Sequence, residues 1–424
     1  MKKTREIIQA EALAVLKENN YTGTYAISTG TGKSRVSIEA IKQGNFKNIL
    51  ITSPRTNLKK NWKQELIKWK IKEQTFSSKS PVLWKYNNIE LNITLENIQT
   101  CYKWSYDKIE EFDLIIADEI HLLITEKYGA LIKKAKSLNI PIIGLTATPD
   151  NKKEEKDLFY KTYCPIVYEY YNSAKDGIIN KRRHLIFQYE LTNDFKIKIG
   201  NKTKSFESGE LKHYNYLTEQ IKKGQRLMVN TGSENWWNDA VRWFYKKQGD
   251  FVQKNAARVY LNSIAYRKKF LWNLNSSIYY TKLIKETILK NKNNKVLLFS
   301  ENIEQAKKLS LYNIHSKQDE ETNKQLLYHF DTGKIKELSS VRSLTLGLNI
   351  KDVNYLIRES YNGSSVNSNQ INGRSDRISV NDIATVIWIV PINTQSEQWF
   401  NNAIKEEYCD VMYYTNINDL IKNI

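Results

Sequence analysis

Short apolar runs, each ending in a polar or glycine-bearing loop and followed by a stretch of helical spacing, restrict what this chain can fold into. In its first part they are TYAI at 24–27, NILITS at 48–53, FDLIIADE at 112–119 and PIIGLTAT at 141–148. Ile7, Ile8, Ala12, Val15 and Leu16 recur at helical spacing ahead of the first run. Continuous apolar runs separated by amphipathic helices predict a parallel sheet covered on both faces, the α/β class. The alternation lapses over about 166–285, where Lys, Asn, Tyr and Trp dominate helical stretches such as ENWWNDAVRWFYKKQGDF. It returns with KVLLFS at 295–300, an amphipathic helix from Ile303 to Leu309, NIHS, VNYLIRES and ATVIWIVP. The expectation is two doubly wound parallel-sheet lobes in tandem, at 1–165 and 286–424, with a linker and mostly helical insert at 166–285. A length of 424 residues suits this, since single cores stop growing near about 250–300 residues.

Hydrophobic residues at 41% and charged residues at 26% exclude wholesale disorder and fibrous repeats. Charges interrupt the apolar stretch at the start of the chain, and no run approaches the roughly 18–20 residues of a membrane span. Neither a secretory signal nor a membrane anchor is expected, and a cytoplasmic location is. Cys101, Cys164 and Cys409 are far apart, which suits a reducing compartment and buried thiols rather than a zinc site. Lys and Arg number 65 against 46 Asp and Glu, a net charge of +19. That balance favours a polyanionic partner. The abundance of Lys, Asn, Ile and Tyr also fits an AT-rich genome, such as that of a phage.

AISTGTGKS at 26–34 follows a strand and precedes a helix-forming stretch. In that setting Gly30 and Gly32 let backbone N–H groups close around phosphate oxygens, Lys33 reaches the outer phosphates and Ser34 offers a hydroxyl to Mg²⁺. Ile27 stands where the full phosphate-loop pattern has Gly, and an ordinary glycine-rich turn is the bland alternative. DEIH at 118–121 follows LIIA, so its carboxylates emerge from a buried strand end rather than a polar helix. Asp118 is suited to holding Mg²⁺ and Glu119 to polarising an attacking water. His121 is placed to couple nucleotide state to neighbouring loops, against the reading of a plain core histidine.

With the phosphate loop, DEIH and TATP at 146–149 in this order, the chain resembles the superfamily two helicases and translocases, with a His-bearing variant of the DEAD box. The resemblance spans both lobes, implies that both are RecA-like, and points to the restriction-type and phage branch. It implies ATP as substrate, with Mg²⁺ as cofactor. REIIQAEA resembles the segment in which a Gln reads adenine, which assigns Gln9 to the base with Arg5 nearby. Thr29 and Thr31 fall in the phosphate loop. SPRTNLKKNWKQEL at 53–66 resembles the motif whose loop touches the nucleic-acid backbone, which implies Pro54, Arg55 and Thr56 there. ITLENIQT at 93–100 takes the place of the next strand-binding motif, with Thr94. Thr146 and Thr148 join His121 as coupling residues.

LLFSENIEQAKKL resembles motif four with Ser300, and SVRSLTLGLNI resembles motif five with Gly347 at its turn, although Asn349 replaces the Asp of many relatives. QINGRSDR at 370–377 matches motif six. There Gln370 is implied to contact the nucleotide or its water, with Arg374 and Arg377 as arginine fingers on the γ-phosphate. In the insert, Trp and Phe at helical spacing are expected mainly to pack a core. Arg267, Lys268 and Lys269 are left to face nucleic acid.

These readings together predict a DNA helicase or translocase that hydrolyses ATP between its lobes in replication, recombination or repair. Its partners are nucleic acid, DNA favoured over RNA, and accessory replication proteins, with no membrane. The alternatives are an RNA helicase and a catalytically idle binding module of the same fold. Lys33, Glu119, Arg374 and Arg377, all intact, argue against the idle module.

Overall fold

A computed structural model describes residues 3–28, 30–54, 56–74, 83–147, 149, 154–171, 176–178, 182–200, 205–341, 353–362, 384–404 and 410–424. Thr29, Arg55, Thr148, Gly347, Gln370, Arg374, Arg377 and Cys409 lie outside the described residues. The described residues through 178 form one compact unit and those from Arg182 a second.

The first unit runs α1 (Arg5–Glu18), β1 (Gly23–Ile27), α2 (Lys33–Gln43), β2 (Asn48–Ser53), α3 (Thr56–Lys68), β3 (Lys72–Gln74), β4 (Leu83–Tyr86) and β5 (Ile89–Asn97). It continues with α4 (Ile98–Cys101), α5 (Tyr106–Glu110), β6 (Leu114–Asp118), α6 (Gly129–Ser137), β7 (Ile142–Thr146), α7 (Glu154–Tyr163) and β8 (Ile166–Tyr170). The strand order is β3-β4-β5-β2-β6-β7-β1-β8. From β5 to β8 every neighbouring pair is parallel, while β3, β4 and β5 pair antiparallel. Alternation along the strands shows why the sheet needs two covers. Ile49, Ile51, Leu114 and Ile116 enter one core with Ile8, Leu16, Ile38 and Leu66 of the flanking helices. Leu50 and Ile115 enter the opposite core with Ile109, Leu131, Ile132 and Phe159. A strand with both faces buried must be apolar throughout, and that made these runs visible in the sequence.

The second unit starts with β9 (Arg182–Glu190), the hairpin β10 (Lys196–Gly200) and β11 (Ser205–Gly209), then α8 (Glu210–Asn230), α9 (Trp236–Phe244), α10 (Phe251–Leu271) and α11 (Asn275–Leu289). It goes on with β12 (Val296–Ser300), α12 (Ile303–Leu309), β13 (Asn313–Ile314), α13 (Glu320–Asp331), β14 (Glu337–Val341) and β15 (Tyr355–Arg358). The final described elements are β16 (Ala384–Ile392), α14 (Gln395–Ile404), β17 (Asp410–Tyr414) and α15 (Ile417–Lys422). Its parallel sheet has the order β13-β14-β12-β15-β16-β9-β17.

The stretch expected to be linker and helical insert, 166–285, contains strands of both sheets. Ile166–Tyr170 is the edge strand beside β1, and Arg182–Glu190 lies between β16 and β17. Helix begins only at Glu210. The strand runs in between, VYEY and HLIFQYE, mix polar with apolar residues, so periodicity did not separate them from a linker. Among α8, α9 and α10, Trp243 packs in a small core with Ile221, Met228 and Tyr260, whereas Trp236 and Trp237 are exposed. The structural reading therefore holds for Trp243 but not for its neighbours. The helices are tied to the sheet by Glu210, which accepts hydrogen bonds from the Asn275 and Ser276 amides at 2.6 and 3.2 Å and from Ser276 Oγ at 2.6 Å. A carboxylate thus satisfies the unpaired N–H groups at the start of α11. Among the described residues no helix is long and apolar enough to cross a membrane.

Candidate nucleotide site

Because the strands from β5 to β8 are parallel, their C-terminal ends share one edge, where open α/β sheets place ligands. β1 ends there in the glycine loop. Gly30 (φ 81°) and Gly32 (φ 97°) are both left-handed, a region open to Gly and costly for other residues. Gly32 is the N-cap of α2 and has no side chain to cap it, so the first-turn N–H groups are left for an anion. Lys33 and Ser34, both half-buried, open the helix. Tyr25, fully buried in β1, donates to the Lys33 carbonyl at 2.6 Å and lies 2.7 Å from Ser37 Oγ, so the loop is held from beneath. Gln9 closes it from the side. Its amide donates to the Thr31 carbonyl at 2.7 Å, and a Cβ on Gly32 would meet Gln9 Nε2 at 2.2 Å. Arg5 donates to the Ile178 carbonyl at 3.1 Å.

β6 ends in the carboxylates. Asp118 is buried; its Oδ1 accepts the Glu119 amide at 3.0 Å and its Oδ2 accepts the Trp62 indole N–H at 2.9 Å. Burial first, and then the neighbouring Glu119, push its carboxyl up to about 6, while Trp62 and Lys33 oppose the rise. Glu119 takes left-handed backbone angles (φ 51°, ψ 47°), a strained choice for a non-Gly residue that turns its side chain away from the strand direction. His121 Nδ1 lies 2.8 Å from Thr146 Oγ1 at the end of β7 and 3.5 Å from Glu119 Oε2. In the order β6-β7-β1 the carboxylates and the glycine loop flank the Thr146 end. Two strand spacings separate them, about 10 Å.

These groups fit a magnesium nucleotide. Mg²⁺ keeps most of its waters and is commonly held by one or two carboxylates with substrate phosphates. Asp118 with the Ser34 hydroxyl meets that requirement, and the open helix start with Lys33 meets the need for positive charge. No cluster of three or more His, Cys, Asp or Glu suited to a metal occurs among the described residues.

The expected nucleic-acid residues divide. Pro54 follows β2, and its carbonyl accepts from Gln99 Nε2 of α4 at 2.8 Å, which joins the loops after β2 and β5 on the same edge. Thr56 begins α3, and Thr94 lies inside β5 opposite Leu50. Ser300 is buried at the end of β12, beside the Glu359 carboxyl. Arg267, expected to be free, instead donates to Gln395 Oε1 at 3.0 Å and Thr218 Oγ1 at 3.4 Å, and its guanidinium lies over the Tyr214 ring. It ties the helices to α14, because a planar fork of donors can serve several acceptors at once. Lys268 lies over the Trp272 ring, 4.5 Å from its centroid. Cys101 and Cys164 are buried thiols, raised by burial to about 12 and about 11.

Residues 2–151 match the family described as the type III restriction enzyme, res subunit, and residues 279–379 match the helicase conserved C-terminal domain. The chain belongs to the superfamily two helicases. Its two sheets are the RecA-like lobes of that superfamily. The Pyrococcus furiosus Hef helicase domain superposes with a TM-score of 0.57 at 15% identity, covering 95% of this chain and 100% of that one. S. cerevisiae Dbp5 bound to RNA and ADP BeF3 superposes with a TM-score of 0.56 at 12% identity, covering 98% of this chain and 92% of that one. At these identities the likeness is one of fold. No curated protein matches this helicase by sequence.

Sequence reasoning passed over Trp62 and Tyr25. Trp62 sits in the quoted NWKQEL segment, but nothing in its helical spacing distinguishes a core tryptophan from one aimed at a carboxylate.

Proposed function

We propose that this helicase-family chain is a nucleic-acid-stimulated ATPase that moves along or remodels DNA. The arrangement on the first sheet supports the reading most: the glycine loop and Lys33 end one strand, Asp118 and Glu119 end another, and Thr146 bonded to His121 ends the strand between. Mg²⁺ bound by Ser34 and Asp118 would supply Lewis-acid stabilisation of the phosphates. Lys33 and the α2 amides bind the phosphates and offset their charge. Glu119 accepts the proton of the attacking water, and its strained backbone holds the carboxylate toward the site. Gln9 fixes the loop's shape on the base side. We assign completion of the active site to motif six of the second lobe, where Arg374 and Arg377 would add transition-state charge stabilisation. The +19 charge supports a polyanion as partner. The restriction-enzyme family match of residues 2–151 favours DNA, whereas Dbp5 was solved bound to RNA.

ATPase activity measured in parallel with no nucleic acid, single-stranded DNA, duplex DNA, a fork and RNA tests this. Stimulation by DNA is the expected result. Stimulation by RNA alone would make the chain an RNA helicase, and no turnover under any condition would make it a binding module.

A further inference from the structure

The proposed reaction does not use the indole that touches its metal-holding carboxylate. Trp62 is 3% exposed, and its Nε1 lies 2.9 Å from Asp118 Oδ2. An indole N–H can only donate. The Glu119 amide occupies the other oxygen at 3.0 Å. With one donor on each oxygen the carboxylate plane is set, and the lone pairs left over have a fixed direction. Second-sphere donors of this kind orient a metal ligand as strongly as packing does.

The helix carrying the indole starts in the segment assigned to nucleic acid. α3 begins at Thr56, next to the Pro54 loop, and Trp62 follows six residues later, about 9 Å along the axis at 1.5 Å per residue. α3 is gripped along its length. Lys59 pairs with Glu96 of β5 at 2.6 Å, and the guanidinium of Arg35 in α2 stacks 4.2 Å from the Trp69 ring just past the helix end. A short helix held at both ends transmits a shift at its start to Trp62 as a rigid piece.

We propose that Trp62 is a positioning residue that fixes the Asp118 carboxylate and, through α3, makes it responsive to nucleic acid bound at the Pro54–Thr56 segment. The inference rests on the functional reading above for its nucleic-acid half only. Nucleic acid on the loop sets the height of α3, α3 sets the indole, and the indole sets the oxygen that faces Mg²⁺.

The test replaces Trp62 with 3-benzothienylalanine, which keeps the ring shape and puts sulfur in place of N–H, with Trp62→Phe as a second variant. Two quantities are read: the Mg²⁺ concentration that half-saturates binding of a fluorescent ADP analogue, and the ratio of ATPase rates with and without single-stranded DNA. The benzothienyl variant is expected to keep the wild-type melting temperature. Its half-saturating Mg²⁺ should rise about tenfold, the usual scale for a lost second-sphere donor, and its stimulation ratio should drop at least about threefold, by the loss of a hydrogen bond to a charged group. In an Asp118→Ala background the same replacement should leave Mg²⁺ dependence unchanged, because the carboxylate it acts on is gone. Unchanged Mg²⁺ half-saturation overturns the positioning role. A shifted Mg²⁺ dependence with an unchanged stimulation ratio overturns the coupling to nucleic acid. If wild type shows no nucleic-acid stimulation at all, the functional reading fails, while the Mg²⁺ measurement still decides the link between Trp62 and Asp118.

Discussion

His121 Nδ1 and Thr146 Oγ1 are 2.8 Å apart, so the turn after β6 and the end of β7 are joined by a side-chain bond as well as by the sheet. The same nitrogen is 3.5 Å from Glu119 Oε2. One imidazole therefore stands between the residue assigned to water activation and the segment that leads out of the sheet toward TATP. Thr146→Val keeps the shape and removes the hydroxyl. It is expected to change nucleotide affinity less than about threefold and to lower unwinding per ATP hydrolysed roughly tenfold, the scale of one buried hydrogen bond. Normal unwinding per ATP in that variant would leave the pair as packing only.

Lys33→Ala is expected to lose nucleotide binding and turnover together, because α2 then starts with no side-chain cation near the outer phosphates. Glu119→Gln keeps size and loses basicity, so it should bind ATP and hydrolyse it at least about a hundredfold more slowly, within the range removed with a general base. Equilibrium binding of a labelled ATP analogue beside steady-state turnover separates the two. Failure of Glu119→Gln to bind would move Glu119 from the chemical step to the metal or the fold.

Glu359 is buried after β15, where it accepts from Ser360 Oγ at 2.8 Å and from Gln305 Nε2 at 3.4 Å. Burial first, with nearby Glu301 adding to it, pushes its carboxyl up from 4.5 to about 7. Unfolding releases this proton between those two pH values, so the native state binds more protons than the unfolded one there, and stability falls as pH rises. The full effect, reached above pH 7, is about 3 kcal/mol at 1.36 kcal/mol per unit. Glu359→Gln is therefore expected to be more stable than wild type at pH 8, with the gap closing toward pH 4.5. Urea unfolding across this range checks it, and a gap that is flat or opens toward acid refutes the assignment.

Gly224 lets α8 cross α10 closely, since a Cβ there would lie 2.8 Å from the Tyr260 Cα. Helix propensity alone favours Ala over Gly by about 1 kcal/mol. Overpacking against backbone costs roughly 1–3 kcal/mol, so Gly224→Ala should destabilise the second unit. A rise in its melting temperature would show that the helices separate without penalty.

Much of the architecture was legible because buried parallel strands have to be apolar on both faces. NILITS, LIIA, PIIGLT, KVLLFS and ATVIWIVP all became strands, and the glycines at 30 and 32 marked the one loop whose backbone needs left-handed angles. The residue types of the site were legible too, since a phosphate loop and a carboxylate pair require particular chemistry at particular spacings. Strands with polar faces were not. Ile166–Tyr170 and Arg182–Glu190 became parts of the two sheets only through pairing with residues far along the chain. The partners of long side chains were equally invisible, because they depend on which elements pack together. The sequence alone named Asp118, His121 and Arg267, but tertiary structure placed an indole from α3 on the first, a threonine from β7 on the second, and a glutamine from α14 on the third. Spacing along a chain specifies which face of an element a residue occupies; what that face meets is decided by packing.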